Sequence, residues 1–273
     1  MKKGFIAAIA LTALPAAALL AHDFFLKPDA FFVAPHGAIN VRAFNGTFTT
    51  SAGSVTRDRL RDLAIVSPAG RVKADTSAWT PRGNSTRWTA SAGEQGTYVL
   101  GASLHPRTIT LAGKEFNAYL ADDGLPDILA ARKAAGELAN GARERYSKHV
   151  KALVQVGDAR TANFSTALGY PAELVPLDNP YALTKGSHIA RVRALVDGAP
   201  IANQVVIAGG RTVSGSRLPV QSYRTDADGI ARVDVSRRGV WYVKFIRMVP
   251  IPAAARDSVD YESKWATLTF AIR

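Results

Sequence analysis

From His22 to Leu111, apolar and polar residues alternate in short runs broken by turn residues, which is the period-two signature of half-buried strands. Such runs cover Asp23–Leu26, Ala38–Phe44, Leu63–Val66, Trp88–Ala90, Thr97–Leu104 and Thr108–Leu111, with turn chemistry at Pro35-His36-Gly37, Pro68-Ala69-Gly70 and Gly83-Asn84. At Lys114 the spacing becomes helical: Phe116, Tyr119 and Leu120, then Leu125, Ile128 and Leu129, with Pro126 suited to a first turn and Asn140-Gly141 to a stop. A second helix is predicted over Ala142–Leu153, with Arg143, Glu144, Lys148 and Lys151 solvated. The strand pattern returns from Glu173, through Ile189–Val196, Gln204–Ala208, Ala231–Val235, Trp241–Met248 and Trp265–Ile272, with hairpin turns at Asp197-Gly198 and Asp228-Gly229.

These patterns predict a mainly β protein: two β-sandwich domains of immunoglobulin-like or transthyretin-like kind, residues 22–113 and 173–273, with a helical insertion or connector over 114–172. The two β regions also share local likenesses. Val41-Arg42-Ala43 matches Val192-Arg193-Ala194, and Gly96-Thr97-Tyr98-Val99 matches Gly239-Val240-Trp241-Tyr242-Val243 more loosely. Either the two sandwiches are related, or strands of any sandwich look alike at this level.

The first 21 residues change the setting. Lys2 and Lys3, the apolar run Gly4–Leu20 and the small Ala21 have the three-part layout of a secretory signal, so residues 1–21 are expected to be removed, leaving His22 at the new N-terminus; a cut after Ala18 is the rival. No other stretch reaches the roughly 20 apolar residues of a membrane span, so a mature chain without a transmembrane segment is expected, periplasmic or secreted. With no cysteine, disulfides, zinc–thiolate sites and cysteine nucleophiles are excluded. The formal charge is +12, two of it in the leader, and the arginines are dispersed rather than gathered in a block with interleaved aromatics. That reads as a solvated surface and not as a nucleic-acid site.

Chemistry is sparse. There is no Gly-x-Ser-x-Gly, and Asp122-Asp123 and Asp226-Ala227-Asp228 sit in turn-like contexts. The histidines His22, His36, His105, His149 and His188 form no local metal motif. His22 differs because, once freed, its α-amine and Nδ1 close a six-membered chelate ring on a borderline ion such as nickel, cobalt or copper. His105 and His149 are the expected partner ligands, and Asp23 the acceptor that orients the site, because adjacent strand residues point to opposite faces.

Six segments carry a resemblance: Ala21–Pro28 (AHDFFLKP), Lys114–Leu120 (KEFNAYL), Arg143–Val154 (RERYSKHVKALV), Pro176–Tyr181 (PLDNPY), Thr225–Gly229 (TDADG) and Tyr261–Phe270 (YESKWATLTF). In this order they resemble the DUF4198 family. The resemblance implies an exported β-rich protein of the kind commonly labelled a periplasmic component of cobalt or nickel uptake, partnered by a membrane transport system or an outer-membrane receptor. It maps the family's His-Asp opening onto His22 and Asp23, with Phe25 where Trp is common, Lys27 where an acid is common and Arg247 where related chains often have His. Some relatives carry a lysozyme-like label, against which strand-rich halves around a helical insertion argue, since they do not make an alternating β/α barrel.

The leading expectation is therefore a non-enzymatic protein that binds nickel, cobalt or copper, or a chelate of one, and supports its uptake. The first rival is a ligand-binding or adhesion module without metal, presenting Tyr223, Trp241 or Tyr242 on a sandwich face. The second is a hydrolase.

Overall fold

The computed structural model describes residues 22–183, 188–252, 254, 256 and 258–273; the expected signal segment lies outside them. The chain is mainly β, with its described strands in three sheets and two α-helices. The first sheet holds β1 (Asp23–Pro28), β3 (Ala38–Gly46), β8 (Ser85–Ser91) and β7 (Trp79–Arg82) in that order, with β4 (Ser51–Gly53) on β3. The large central sheet runs β16 (Arg217–Arg224), β15 (Val205–Thr212), β18 (Gly239–Pro250), β19 (Tyr261–Ile272), β11 (Ala142–Val156), β9 (Gly96–Leu104), β5 (Leu60–Ser67) and β6 (Gly70–Lys73). Two short strands, β2 (Phe32–Val33) and β10 (Arg107–Leu111), pair with the ends of β11. The third sheet holds β12 (Ala172–Pro176), β13 (Ile189–Val196) and β14 (Ala199–Pro200), with β17 (Ile230–Asp234) on β13.

The two halves repeat one connectivity. In the first, β1 and β8 flank β3 while β6, β5, β9 and β11 run side by side; in the second, β12 and β17 flank β13 while β16, β15, β18 and β19 do the same. Every one of these pairings is antiparallel. The halves join where the last strand of each, β11 and β19, pair in parallel. The Val-Arg-Ala likeness falls on the equivalent strands β3 and β13, and the Gly-initiated likeness on β9 and β18. The strand order thus favours related sandwiches over chance similarity.

The first and third sheets cover opposite faces of the central one. Val150, Ala152, Val154 and Val156 of β11 pack with Phe24, Leu26, Ile39, Val41, Trp79 and Trp88, whereas Leu153 packs with Leu174, Val192, Val233 and Phe270. Alternation sends even and odd positions of a strand to opposite faces, so β11 is buried on both.

That double burial overturns the helix expected over Ala142–Leu153: these residues belong to β11. A strand covered on both faces loses its period-two pattern, and its buried Glu144, Lys148 and Lys151 look like the solvated flank of a helix. The helices that do form are α1 (Gly113–Asp122) and α2 (Pro126–Ala134). Phe116, Tyr119, Leu120 and Leu125 pack them on Tyr146, Ile246, Tyr261 and Trp265 of the central sheet. The helical segment is therefore an insertion ahead of the last strand of the first half, and the remainder of the expected connector is strand and loop with one 3-10 turn over Ala162–Ser165.

Candidate functional site

A concavity of about 540 Å³ opens where β1 begins. Five segments line it: His22, Asp23 and Phe25; Thr47, Phe48 and Thr49 from the turn after β3; Asp122 and Asp123 at the end of α1; Gly210, Arg211, Arg217 and Leu218 of the β15–β16 hairpin; and Tyr242 and Lys244 of β18. Phe24 and Leu26 enter the core of the first half, so alternation along β1 turns Asp23 and Phe25 the other way, into the cavity.

One wall is aromatic. Phe25, Phe48 and Tyr242 meet pairwise with ring centroids 4.9–5.3 Å apart. Tyr242 lies so close over β15 that a Cβ on Gly209 would stand 2.6 Å from its hydroxyl oxygen. The neighbouring Gly210 is confined by backbone, since a Cβ there would stand 2.1 Å from the Val240 carbonyl oxygen. The Gly209-Gly210 pair is a packing requirement of the sheet, set in mid-strand and not at a helix start.

The opposite wall is ionic. The buried Lys244 ammonium donates to Asp23 Oδ2 at 2.6 Å and Asp123 Oδ1 at 2.8 Å. Burial alone would lower the Lys244 pKa, but the charges of Asp23 and Asp123 outweigh it and hold the group well above the usual lysine value. Burial raises the Asp123 carboxyl, with Lys244 opposing. The second oxygen of Asp23, Oδ1, is buried with no hydrogen-bond partner. His22, half-buried, has its pKa lowered by burial and then by Lys148, which keeps the imidazole neutral with a free lone pair at neutral pH. Lys148 also donates to the His22 carbonyl and, at 3.0 Å, to Asn45 Oδ1.

Of the expected site residues, the structure brings together His22 and Asp23. Asp23 lines the cavity itself beside His22, because His22 precedes the strand and the alternation rule does not separate them. His105 does not join them: it is exposed beyond β9. Nor does His149, buried on β11 with Nδ1 2.8 Å from Ser103 Oγ and Nε2 3.0 Å from Ser147 Oγ, both ring nitrogens engaged. Among the described residues no group of three His, Asp or Glu side chains is placed to hold a metal, and the three expected histidines do not come together.

Arg247 is exposed on β18 and absent from the cavity lining. Trp241 is fully buried in the core of the second half, so it presents no adhesive face, while Tyr242 belongs to the cavity wall. Asp226 accepts from the Asp228 and Ile230 amides, the work of a hairpin turn. Sequence reasoning misses Asp123, Lys244, Arg211 and Arg217 as site residues; the paired Asp122-Asp123 is the available signal, and it reads as a turn until α1 is placed against β18.

A family model described as "Domain of unknown function (DUF4198)" matches residues 19–248. No curated protein matches the chain. Two solved structures are among those similar to this chain. One is a tetra-tandem repeat in the extending region of a large adhesion protein, at 12% identity, covering 92% of this chain and 50% of that one, with a TM-score of 0.24. The other is the BSP domain of a biofilm-associated protein, at 8% identity, covering 90% of this chain and 29% of that one, with a TM-score of 0.18. The chain spans half the length of the first and less than a third of the second. Among the described residues no helix is long and apolar enough to cross a membrane.

Proposed function

On the premise that the chain belongs to the DUF4198 family, as the match over residues 19–248 shows, we propose that it is an exported, non-enzymatic binding protein whose cavity at His22 takes a chelate of nickel, cobalt or copper and passes it to an uptake system. The observation that carries this reading is the position of His22 and Asp23 at the mouth of a 540 Å³ cavity, a volume within the usual range for small-molecule sites. A neutral imidazole, a carboxylate oxygen lacking a partner and the α-amine freed by processing suit a borderline divalent ion. Among the described residues fewer than three side-chain donors are placed to hold one ion, so the remaining donors come from the organic part of the chelate. The aromatic wall of Phe25, Phe48 and Tyr242, with Arg211 and Arg217 nearby, suits a chelator carrying both apolar and carboxylate groups.

The test is calorimetric titration of the mature protein, beginning at His22, with nickel, cobalt and copper, each free and as citrate and histidine chelates. Chelate binding that weakens at least about tenfold when one alanine precedes His22 supports the reading, by analogy with the cost of disturbing a metal's surroundings. Equal affinity in the extended form removes the amine from the site. Binding of the chelators alone, indifferent to metal, favours the metal-free ligand-binding reading.

A further inference from the structure

A second, smaller pocket of about 110 Å³ includes Lys148 in its lining. It is lined by Asn45 of β3, Ser54, Val55, Thr56 and Arg59 from the segment between β4 and β5, Leu104 and Arg107 at the β9–β10 turn, and Tyr146 and Lys148 of β11. Three of these residues are cationic and none is acidic. Among the described residues, none of the three is joined to a carboxylate by an ion pair. Asp58 lies near Arg59 and Arg107 but is fully exposed, and Asp23 and Glu144 act on Lys148 from outside the pocket.

Cations that converge in a lining without an acid are costly, the more so when buried. Lys148 is almost wholly buried. Arg59 has its Nε buried with no hydrogen-bond partner, and its Nη2 donates to the His105 carbonyl at 3.0 Å. Three cations beside the hydroxyl of Ser54, in a lining that holds no acid, are half of a hydrogen-bonding set whose other half is an anion.

We propose that the pocket bounded by Arg59, Arg107 and Lys148 binds a small oxyanion of the phosphate or sulfate type. Its volume is that of a few water molecules, enough for a single tetrahedral group and well below that of a drug-sized ligand. The guanidinium groups of Arg59 and Arg107 and the Lys148 ammonium all line the pocket, and Lys148 keeps its bonds to Asn45 and to the His22 carbonyl. The site stands independently of the metal-chelate reading, because it uses none of the side chains of the larger cavity.

The experiment is calorimetric titration of the mature protein with inorganic phosphate and with sulfate at fixed ionic strength in chloride, repeated with glycerol phosphate. Saturable one-to-one binding is expected, weakened at least about tenfold in R59Q and in R107Q, since a hydrogen bond to a charged group contributes about a factor of ten or more. Arg107 is exposed, so R107Q keeps the test open where R59Q fails to fold. Glycerol phosphate binding as well as phosphate points to a phosphate carried on a larger molecule, and binding of the inorganic ions alone points to a free anion; both uphold the site. Absence of saturable binding, equal affinity in all three proteins, or loss in R217Q with retention in R59Q overturns it.

Discussion

The Lys151 ammonium on β11 meets the Glu173 carboxylate on β12 at 2.7 Å, with both side chains buried. Glu173 also accepts from the backbone amides of Leu168, Gly169 and Tyr170, so one carboxylate fixes the crossing from the last strand of the first half to the first strand of the second. Burying two charges is offset only while both remain paired and hydrogen-bonded. E173Q is expected to lower the unfolding free energy by about 3–5 kcal/mol in urea titrations, because it strands a buried ammonium. The K151M/E173L pair is expected to recover part of that loss, which equal destabilisation of the single and double variants would contradict.

His149 gives the protein a defined acid sensitivity. Burial first, then the charges of Arg61 and Lys264, pull its pKa down to about 3, against about 6.5 for an unfolded histidine. Between these values the unfolded chain binds a proton that the folded chain refuses, so stability falls as pH drops through that window. The slope from this group is about 1.4 kcal/mol per pH unit. H149Q is expected to flatten the urea-midpoint dependence between pH 6 and pH 4, and an unchanged slope would assign the acid sensitivity to other groups.

Much of this fold is legible in the order of apolar and polar residues, and the places where it is not share one cause. β3 and β8 alternate because one face meets the core and the other meets water. β11 is covered on both faces, so neither period nor polarity marks it, and its Lys148, His149 and Lys151 are buried through partners 22 to 126 residues away or on the neighbouring strand. The same limit applies to the site. His22 and Asp23 stand out from the expected cleavage point, but Lys244 joins Asp23 across 221 residues and Asp123 across 121, pairings that no local spacing encodes. His105 and His149 qualify as partners by residue type alone, and type does not say which face of a strand a side chain occupies.

Lys244 is expected to be a structural anchor of the cavity as well as its charge balance. K244M leaves the partly buried Asp23 and Asp123 facing each other without a cation, at an expected cost of about 3–5 kcal/mol in denaturant unfolding. The same change makes the cavity more anionic, so divalent ions are expected to raise the melting temperature of K244M more than that of the unaltered protein. A smaller ion-induced shift in K244M would remove Asp23 and Asp123 from any role near a bound cation.

The adjacent glycines of β15 separate stability from ligand binding. At Gly210 an added Cβ would meet the Val240 carbonyl oxygen at 2.1 Å and the Trp241 Cα at 3.0 Å, backbone atoms held by the β15–β18 ladder that cannot move without parting the strands. At Gly209 the obstacles are the Tyr242 hydroxyl oxygen at 2.6 Å and its ring carbons, which a side-chain rotation can clear. G210A is therefore expected to cost about 3 kcal/mol, the upper end of forced overpacking, and to reduce soluble yield. G209A is expected to cost less, because Tyr242 swings away, but in doing so the ring leaves Phe25 and Phe48 and enters the cavity volume. Calorimetry on folded G209A should then show weakened chelate binding with phosphate binding retained, since the aromatic wall belongs to the larger cavity and not to the pocket of Arg59. Full chelate affinity in G209A would mean that the ligand does not contact the aromatic wall.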